Sequence, residues 1–217
     1  MVNLMRVDLI EGQGFDSNIF LVRDETNLLV DAGTGENFNW VKRKLKGFNF
    51  KPQNLDVLVN THCHFDHAGG DSDFLEISDC KLMASELAAN ALRRGDEKVT
   101  LAENFGEKMK PLEVSQILHD GNVIKLGETT LTVISTPGHT QGSISLYEPE
   151  EKALFSGDAV FRGGIGRTDL PSSQPAAMRK TLEKLAKMDD EKIYPGRGPV
   201  AGKNGSKYIE QAQKFLI

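Results

Sequence analysis

The chain is poor in cysteine, in excess positive charge and in long apolar runs, and each shortage removes a class of explanation. Cys63 and Cys80 are the only cysteines among 217 residues, so at most one disulfide could form. With no secretory leader in view both read as reduced thiols, and the fold is expected to stand without a covalent staple. Lys and Arg number 26 against 31 Asp and Glu, a net charge of -5. That balance offers no basic face for neutralising phosphates, so nucleic acid is not an expected partner. No window approaches about 18 consecutive apolar residues. The start, Met1–Asp8, lacks the basic segment and apolar run of an export signal. The expectation is a cytoplasmic protein with no membrane partner. Gly33-Thr34-Gly35 and Gly163-Gly164-Ile165-Gly166 lack the full dinucleotide-binding or P-loop spacing and read as backbone turns.

What remains is an ordinary globular composition, 39% hydrophobic and 26% charged, with no solenoid repeat and no low-complexity linker. Residues 1–217 are therefore read as one folding unit. Asn18–Val22 and Asn27–Val30 are short apolar runs about a charged turn, which predicts a hairpin. Phe38, Val41 and Leu45 recur at helical spacing among lysines, up to a stop at Gly47. A strand is predicted at Asp56–Asn60, and a helix at Ser85–Arg94 with Ser85 as its cap. Strand pairs are expected in 122–135 and 143–156, then a helix from Pro175, a strand at Ile193–Tyr194 and a helix from about Ser206. Strands and helices in the same general order in both halves fit two sheets with helices outside them.

Three of the five histidines fall in Thr61-His62-Cys63-His64-Phe65-Asp66-His67, directly after an apolar strand. Extended backbone there turns His62 and His64 to one side and Cys63 to the other. Asp66 and His67 lie past the strand end, where Gly69 and Gly70 bend the chain. Two further strand ends offer ligands, His139 in Thr136-Pro137-Gly138-His139-Thr140 and Asp158 in Ser156-Gly157-Asp158. Imidazoles with carboxylates suit zinc, and suit iron or manganese where open positions remain. His119 stands apart and reads as structural or solvent-facing.

The pattern H-x-H-x-D-H, then Pro-Gly-His-Thr, then Ser-Gly-Asp, resembles the metallo-β-lactamase superfamily along nearly the whole chain. The resemblance implies a mixed α/β (α+β) fold, a four-layer αββα sandwich, as one domain over 1–217. The stretch 154–171 is similar to single-domain relatives of glyoxalase II, the hydroxyacylglutathione hydrolases. It implies a first metal on His62, His64 and His139, with Asp158 bridging, and a second served by Asp66 and His67. It also implies a metal-activated water that cleaves a thioester or related ester, with a glutathione or other thiol conjugate as the small-molecule substrate. Persulfide dioxygenases, close cousins, offer a mononuclear iron alternative. A β-lactamase role is not expected without an export signal.

One motif departs from the family. Where the family usually reads Pro-Gly-His-Gly, this chain reads Pro195-Gly196-Arg197-Gly198. Guanidinium stays protonated and has no lone pair to give, so the second site loses a nitrogen and gains a positive charge. The expectation is one tightly bound divalent metal, with the second site empty or weak. Asp66, freed from ligand duty, is then the expected catalytic residue, orienting the water or accepting its proton, while Arg197 steadies Asp66, holds an anionic substrate group, or marks a metal-binding protein with degraded activity. Asp31, ending a strand, is expected either to brace the histidine loop or to cap its own strand. Arg167, Thr168 and Asp169 brace the site or fold only their own loop. Lys203, Lys207 and Tyr147 read as surface residues more readily than as contacts for a glutathione carboxylate.

Overall fold

The computed structural model describes residues 5–216, and Met1–Leu4 of the segment read for a leader lie outside it. It divides into two compact units, one of residues up to 118 with 125–129, the other of 119–124 with 130 onward.

The first unit carries a six-stranded sheet, β1 (Arg6–Ile10), β2 (Ile19–Arg23), β3 (Leu28–Val30), β4 (Val57–Val59), β5 (Lys81–Ser85) and β6 (Gln116–Leu118), in that order. The first three pair antiparallel and the rest parallel. Parallel neighbours need crossovers, and these are helical. They are α1 (Phe38–Gly47) after β3, α2 (Phe65–Ala68) and α3 (Asp71–Ile77) after β4, and α4 (Glu86–Arg94) after β5. α1 buries Val41 and Leu45, the face that its spacing marks. Gly47 belongs to the helix rather than ending it; the backbone turns two residues later at Asn49, whose φ is 58°. Asparagine tolerates that left-handed conformation because its short side chain bonds locally. α4 begins as predicted, with Ser85 Oγ accepting from the Ala88 amide. The hairpin at β2–β3 also stands where its turn residues put it.

Three elements of this unit carry little sequence signal: α3, β5 and β6. α3 follows two glycines and buries only Asp71 and Phe74. Asp66 and His67 are likewise not on a bend; they occupy α2, one turn of helix. The core around them gathers Leu29, Leu58, Phe74, Leu82 and Leu92, all inaccessible to solvent.

In the second unit the five-stranded sheet runs β11-β10-β9-β8-β7. Its members are β7 (Val123–Lys125), β8 (Thr130–Ser135), β9 (Ile144–Glu148), β10 (Ala153–Gly157) and β11 (Lys192–Pro195). β10 and β11 pair parallel across α5 (Pro175–Leu185), and α6 (Gly205–Ala212) follows. Met178, Leu182 and Leu185 of α5 pack with Leu154, Ile193 and Ile209. These elements fall where periodicity and turn residues predict them.

Beside that core, Asp190 is buried at 2% exposure and neither carboxyl oxygen has a hydrogen-bond partner. Burial, reinforced by the Asp189 charge, raises its pKa to about 7. A carboxyl raised in the fold adds stability that is fully present below its ordinary 3.8 and is lost as pH rises through about 7. Asp190→Asn is therefore expected to stabilise the chain relative to the natural sequence increasingly from pH 4 to pH 7, by at most about 4 kcal/mol, then level off. Urea unfolding at successive pH values measures it; a difference constant with pH contradicts it.

Candidate metal centre

In the first unit the site residues come from the turn between β4 and α2 and from the end of β3. His62, His64, Asp66 and His67 are all buried. The His62 ring lies edge-on to His64, centroids 4.7 Å apart, and 4.1 Å from His67. Ring nitrogens of His62 and His64 approach within 4.8 Å, as do those of His62 and His67. Asp66 Oδ2 stands 3.7 Å from His67 Nε2. Cys63 turns the other way, into the core, and burial pushes its thiol up to about 12. A thiol held neutral is no metal ligand.

Asp31 organises this cluster. Its φ of 61° swings the side chain out of the strand line. Oδ1 accepts from the Thr61 amide at 2.8 Å, and Oδ2 accepts from Thr61 Oγ1 and pairs with His67 Nδ1, both at 2.8 Å. Because a carboxylate oxygen accepts, His67 carries its hydrogen on Nδ1 and its lone pair on Nε2. The Thr61 hydroxyl spends its hydrogen on Asp31, so its oxygen accepts from His62 Nδ1 at 3.1 Å. That leaves the His62 lone pair on Nε2 as well. Of the two roles open to Asp31, the structure has it bonding the histidine loop.

In the second unit His139 follows β8, Asp158 follows β10 and Arg197 follows β11. His139 Nδ1 lies 2.7 Å from the Arg167 carbonyl, which can only accept, so here too the lone pair is on Nε2. That nitrogen is 3.7 Å from Asp158 Oδ2, and Arg197 Nε is 3.8 Å from the same oxygen. Arg197 is about a third exposed while Asp158 is buried. The loop 167–169 divides its work: the Arg167 and Asp169 side chains bond each other in solvent, and the Arg167 carbonyl bonds His139.

Two participants had no signal in spacing or composition. Thr61 is the relay between Asp31 and His62. Gly166 donates its amide to the Asp158 carbonyl at 3.0 Å, and a Cβ there would stand 2.2 Å from that carbonyl and 2.8 Å from His139 Nδ1. Gly166 is thus required for close approach rather than only for turning. His119 is exposed, as are Lys203 and Lys207, while Tyr147 packs partly buried against the second unit's core.

The donor set suits a divalent metal. Ligating histidines almost always donate the other ring N–H to a carboxylate, a carbonyl or a neighbouring hydroxyl or water, which orients the ring and raises its basicity. His62, His67 and His139 each have such an acceptor on Nδ1. Imidazole with carboxylate is the chemistry of zinc and of iron. Among the described residues no helix is long and apolar enough to cross a membrane.

Residues 12–197 match a family model described as the metallo-beta-lactamase superfamily. The chain is 34% identical to a probable metallo-hydrolase of Methanocaldococcus jannaschii, covering 93% of this chain and 97% of that one. An acyl-coenzyme A thioesterase of Homo sapiens is 31% identical over 92% of this chain and 81% of its own length. A hydroxyacylglutathione hydrolase of Haemophilus influenzae is 27% identical, over 87% and 88%. Among solved structures, the BLEG-1 B3 metallo-beta-lactamase superposes with a TM-score of 0.80 at 22% identity, over 97% and 99% of the two chains. TTHA1623 in a di-iron-bound form does so with a TM-score of 0.75 at 26% identity, over 94% and 96%. The mixed α/β fold with two sheets and flanking helices is that of these structures.

Proposed function

The chain belongs to the metallo-beta-lactamase superfamily, and we propose from that premise that it is a metal-dependent hydrolase of thioesters or related esters, working as one catalytic domain over 1–217. The observation that carries the reading is the shared tautomer of His62, His67 and His139, each with Nδ1 engaged and Nε2 bearing the lone pair. Relatives named as an acyl-coenzyme A thioesterase and a hydroxyacylglutathione hydrolase support the substrate class.

On this proposal His62, His64, His139 and Asp158 hold one divalent ion, zinc or iron, with manganese also accommodated. The chemistry such an ion supplies when bound is Lewis-acid polarisation of a carbonyl and a nucleophilic water at neutral pH. Asp66, buried beside His67, takes the proton that the attacking water gives up and returns it to the departing thiolate. The Arg197 guanidinium, partly open to solvent, holds an anionic group of the thiol carrier. Asp66 and His67 otherwise remain for a second, weakly held ion. Cys63 and Cys80, both free and buried, fit a reducing cytoplasm.

Purified chain should release free thiol from hydroxyacylglutathione or an acyl-coenzyme A, lose that activity on chelation and regain it with a matched metal. His139→Ala should abolish it. Oxygen uptake with glutathione persulfide and no thioester turnover would replace the hydrolase by a mononuclear iron dioxygenase. Metal binding with neither activity would make the chain a binding protein.

A further inference from the structure

Behind the histidine turn lies a buried carboxyl that the proposed reaction does not use. Asp71, the first residue of α3, is fully inaccessible to solvent, as is Asn60 in the turn after β4. Asn60 Nδ2 donates to Asp71 Oδ1 at 3.0 Å. The remaining oxygens, Asn60 Oδ1 and Asp71 Oδ2, are both buried and both lack a hydrogen-bond partner. Two buried acceptors on side chains already joined by one bond are short of one hydrogen, a shortage that folded proteins rarely leave unmet. Among the described residues Asp71 has no ion-pair partner. The titratable groups around it are Asp31 at the end of β3, His67 on α2 and Cys80 ahead of β5; the nearby turn Pro52–Asn54 has no charge.

We propose that Asp71 is a neutral carboxylic acid whose hydroxyl donates to Asn60 Oδ1, closing a two-bond acid–amide ring that positions the turn bearing His62. Burial, strengthened by the Asp31 charge and opposed by the Asn60 bond and by His67, moves the carboxyl well above its ordinary range, in the same direction. The ring acts through the chain. The Asn60 amide donates to the Met83 carbonyl and the Thr61 amide to Asp31, so the side chain, N–H and neighbour of residue 60 are all tied down. Two residues on is His62. Asp71 is thus a positioning residue that holds one proton and transfers none. The consequence for metal affinity rests on the metal reading above; the proton does not.

The test compares the full chain with Asp71→Asn, whose amide supplies the missing N–H, and Asp71→Leu, which supplies nothing. The infrared difference between natural chain and Asp71→Asn at pH 7 should contain the C=O stretch of a protonated carboxyl. Between pH 5 and pH 7 the folded-to-unfolded ratio of Asp71→Asn relative to the natural chain should rise by up to about tenfold per pH unit, because only the natural chain's unfolded state sheds the proton. Zinc affinity, measured by competition with a chromophoric chelator, should be kept within a few-fold in Asp71→Asn and fall at least tenfold in Asp71→Leu. No protonated-carboxyl band together with a pH-independent ratio overturns the proposal, as does Asp71→Asn binding zinc as poorly as Asp71→Leu. If no variant, nor the natural chain, binds zinc, the metal reading fails while the infrared and pH results still decide the proton.

Discussion

Asp31→Ala is expected to lower metal affinity by about 10- to 100-fold and to destabilise the first unit by about 3–6 kcal/mol. Both effects come from one side chain, buried at 1% exposure, that serves the Thr61 amide, the Thr61 hydroxyl and His67 Nδ1 together. Alanine leaves those donors without an acceptor in a region closed to water, and it also sits poorly at the φ of 61° that residue 31 adopts. A loss of that size approaches the whole stability of many domains. Asp31→Asn separates the two effects. Asparagine accepts the left-handed backbone and keeps one acceptor oxygen, so stability should largely survive. Its amide nitrogen, however, faces either Thr61 or His67 Nδ1. If His67, the hydrogen must move to Nε2 and remove the lone pair a metal would use. The Thr61 hydroxyl, which donates to that same position, loses its acceptor too and the His62 tautomer is no longer fixed; the other rotamer sets the nitrogen against the Thr61 amide N–H, a donor that cannot adapt. Zinc titration beside urea unfolding should therefore show Asp31→Asn folded but weak in metal. Full zinc affinity in that variant would remove Asp31 from any role in orienting the imidazoles.

Arg197→His should raise the metal content from one tightly held ion per chain toward two. In the natural chain the guanidinium lies 3.8 Å from Asp158 Oδ2, a permanent cation with no lone pair beside the carboxylate read as bridging. Histidine removes the charge and adds a nitrogen, so both obstacles to a second ion fall at once. Arg197→Gln removes the charge alone and should leave the second ion weakly held. Arg197→Lys keeps it and should stay at one. Elemental analysis after gel filtration distinguishes these cases. Two tightly held ions in the natural chain would show that Arg197 does not govern occupancy.

How much of this was legible in the sequence varies by element. The β2–β3 hairpin, α4 and α5 were legible because each combines an apolar pattern with its own turn, cap or first-turn proline, and α1 through its apolar spacing alone. α3 was not, since Gly69-Gly70 reads as a break and its buried positions, Asp71 and Phe74, do not form an apolar stripe. β5 and β6 carry no strict apolar alternation that sets them apart, and parallel pairing to β4 and to each other makes them strands. Gly166 has the sequence signature of any turn glycine, and only its close approach to the Asp158 carbonyl and the His139 ring sets it apart.

The kinds of donor were determined by the sequence alone: imidazoles and carboxylates at strand ends can offer lone pairs, and an arginine at 197 cannot, whatever the fold. Which nitrogen of each ring offers the pair was decided only by the tertiary structure. The acceptor that holds His67 lies 36 residues away and the one that holds His139 lies 28 away. A ring hydrogen goes to whatever acceptor stands nearest in space, and distance along the chain does not set that.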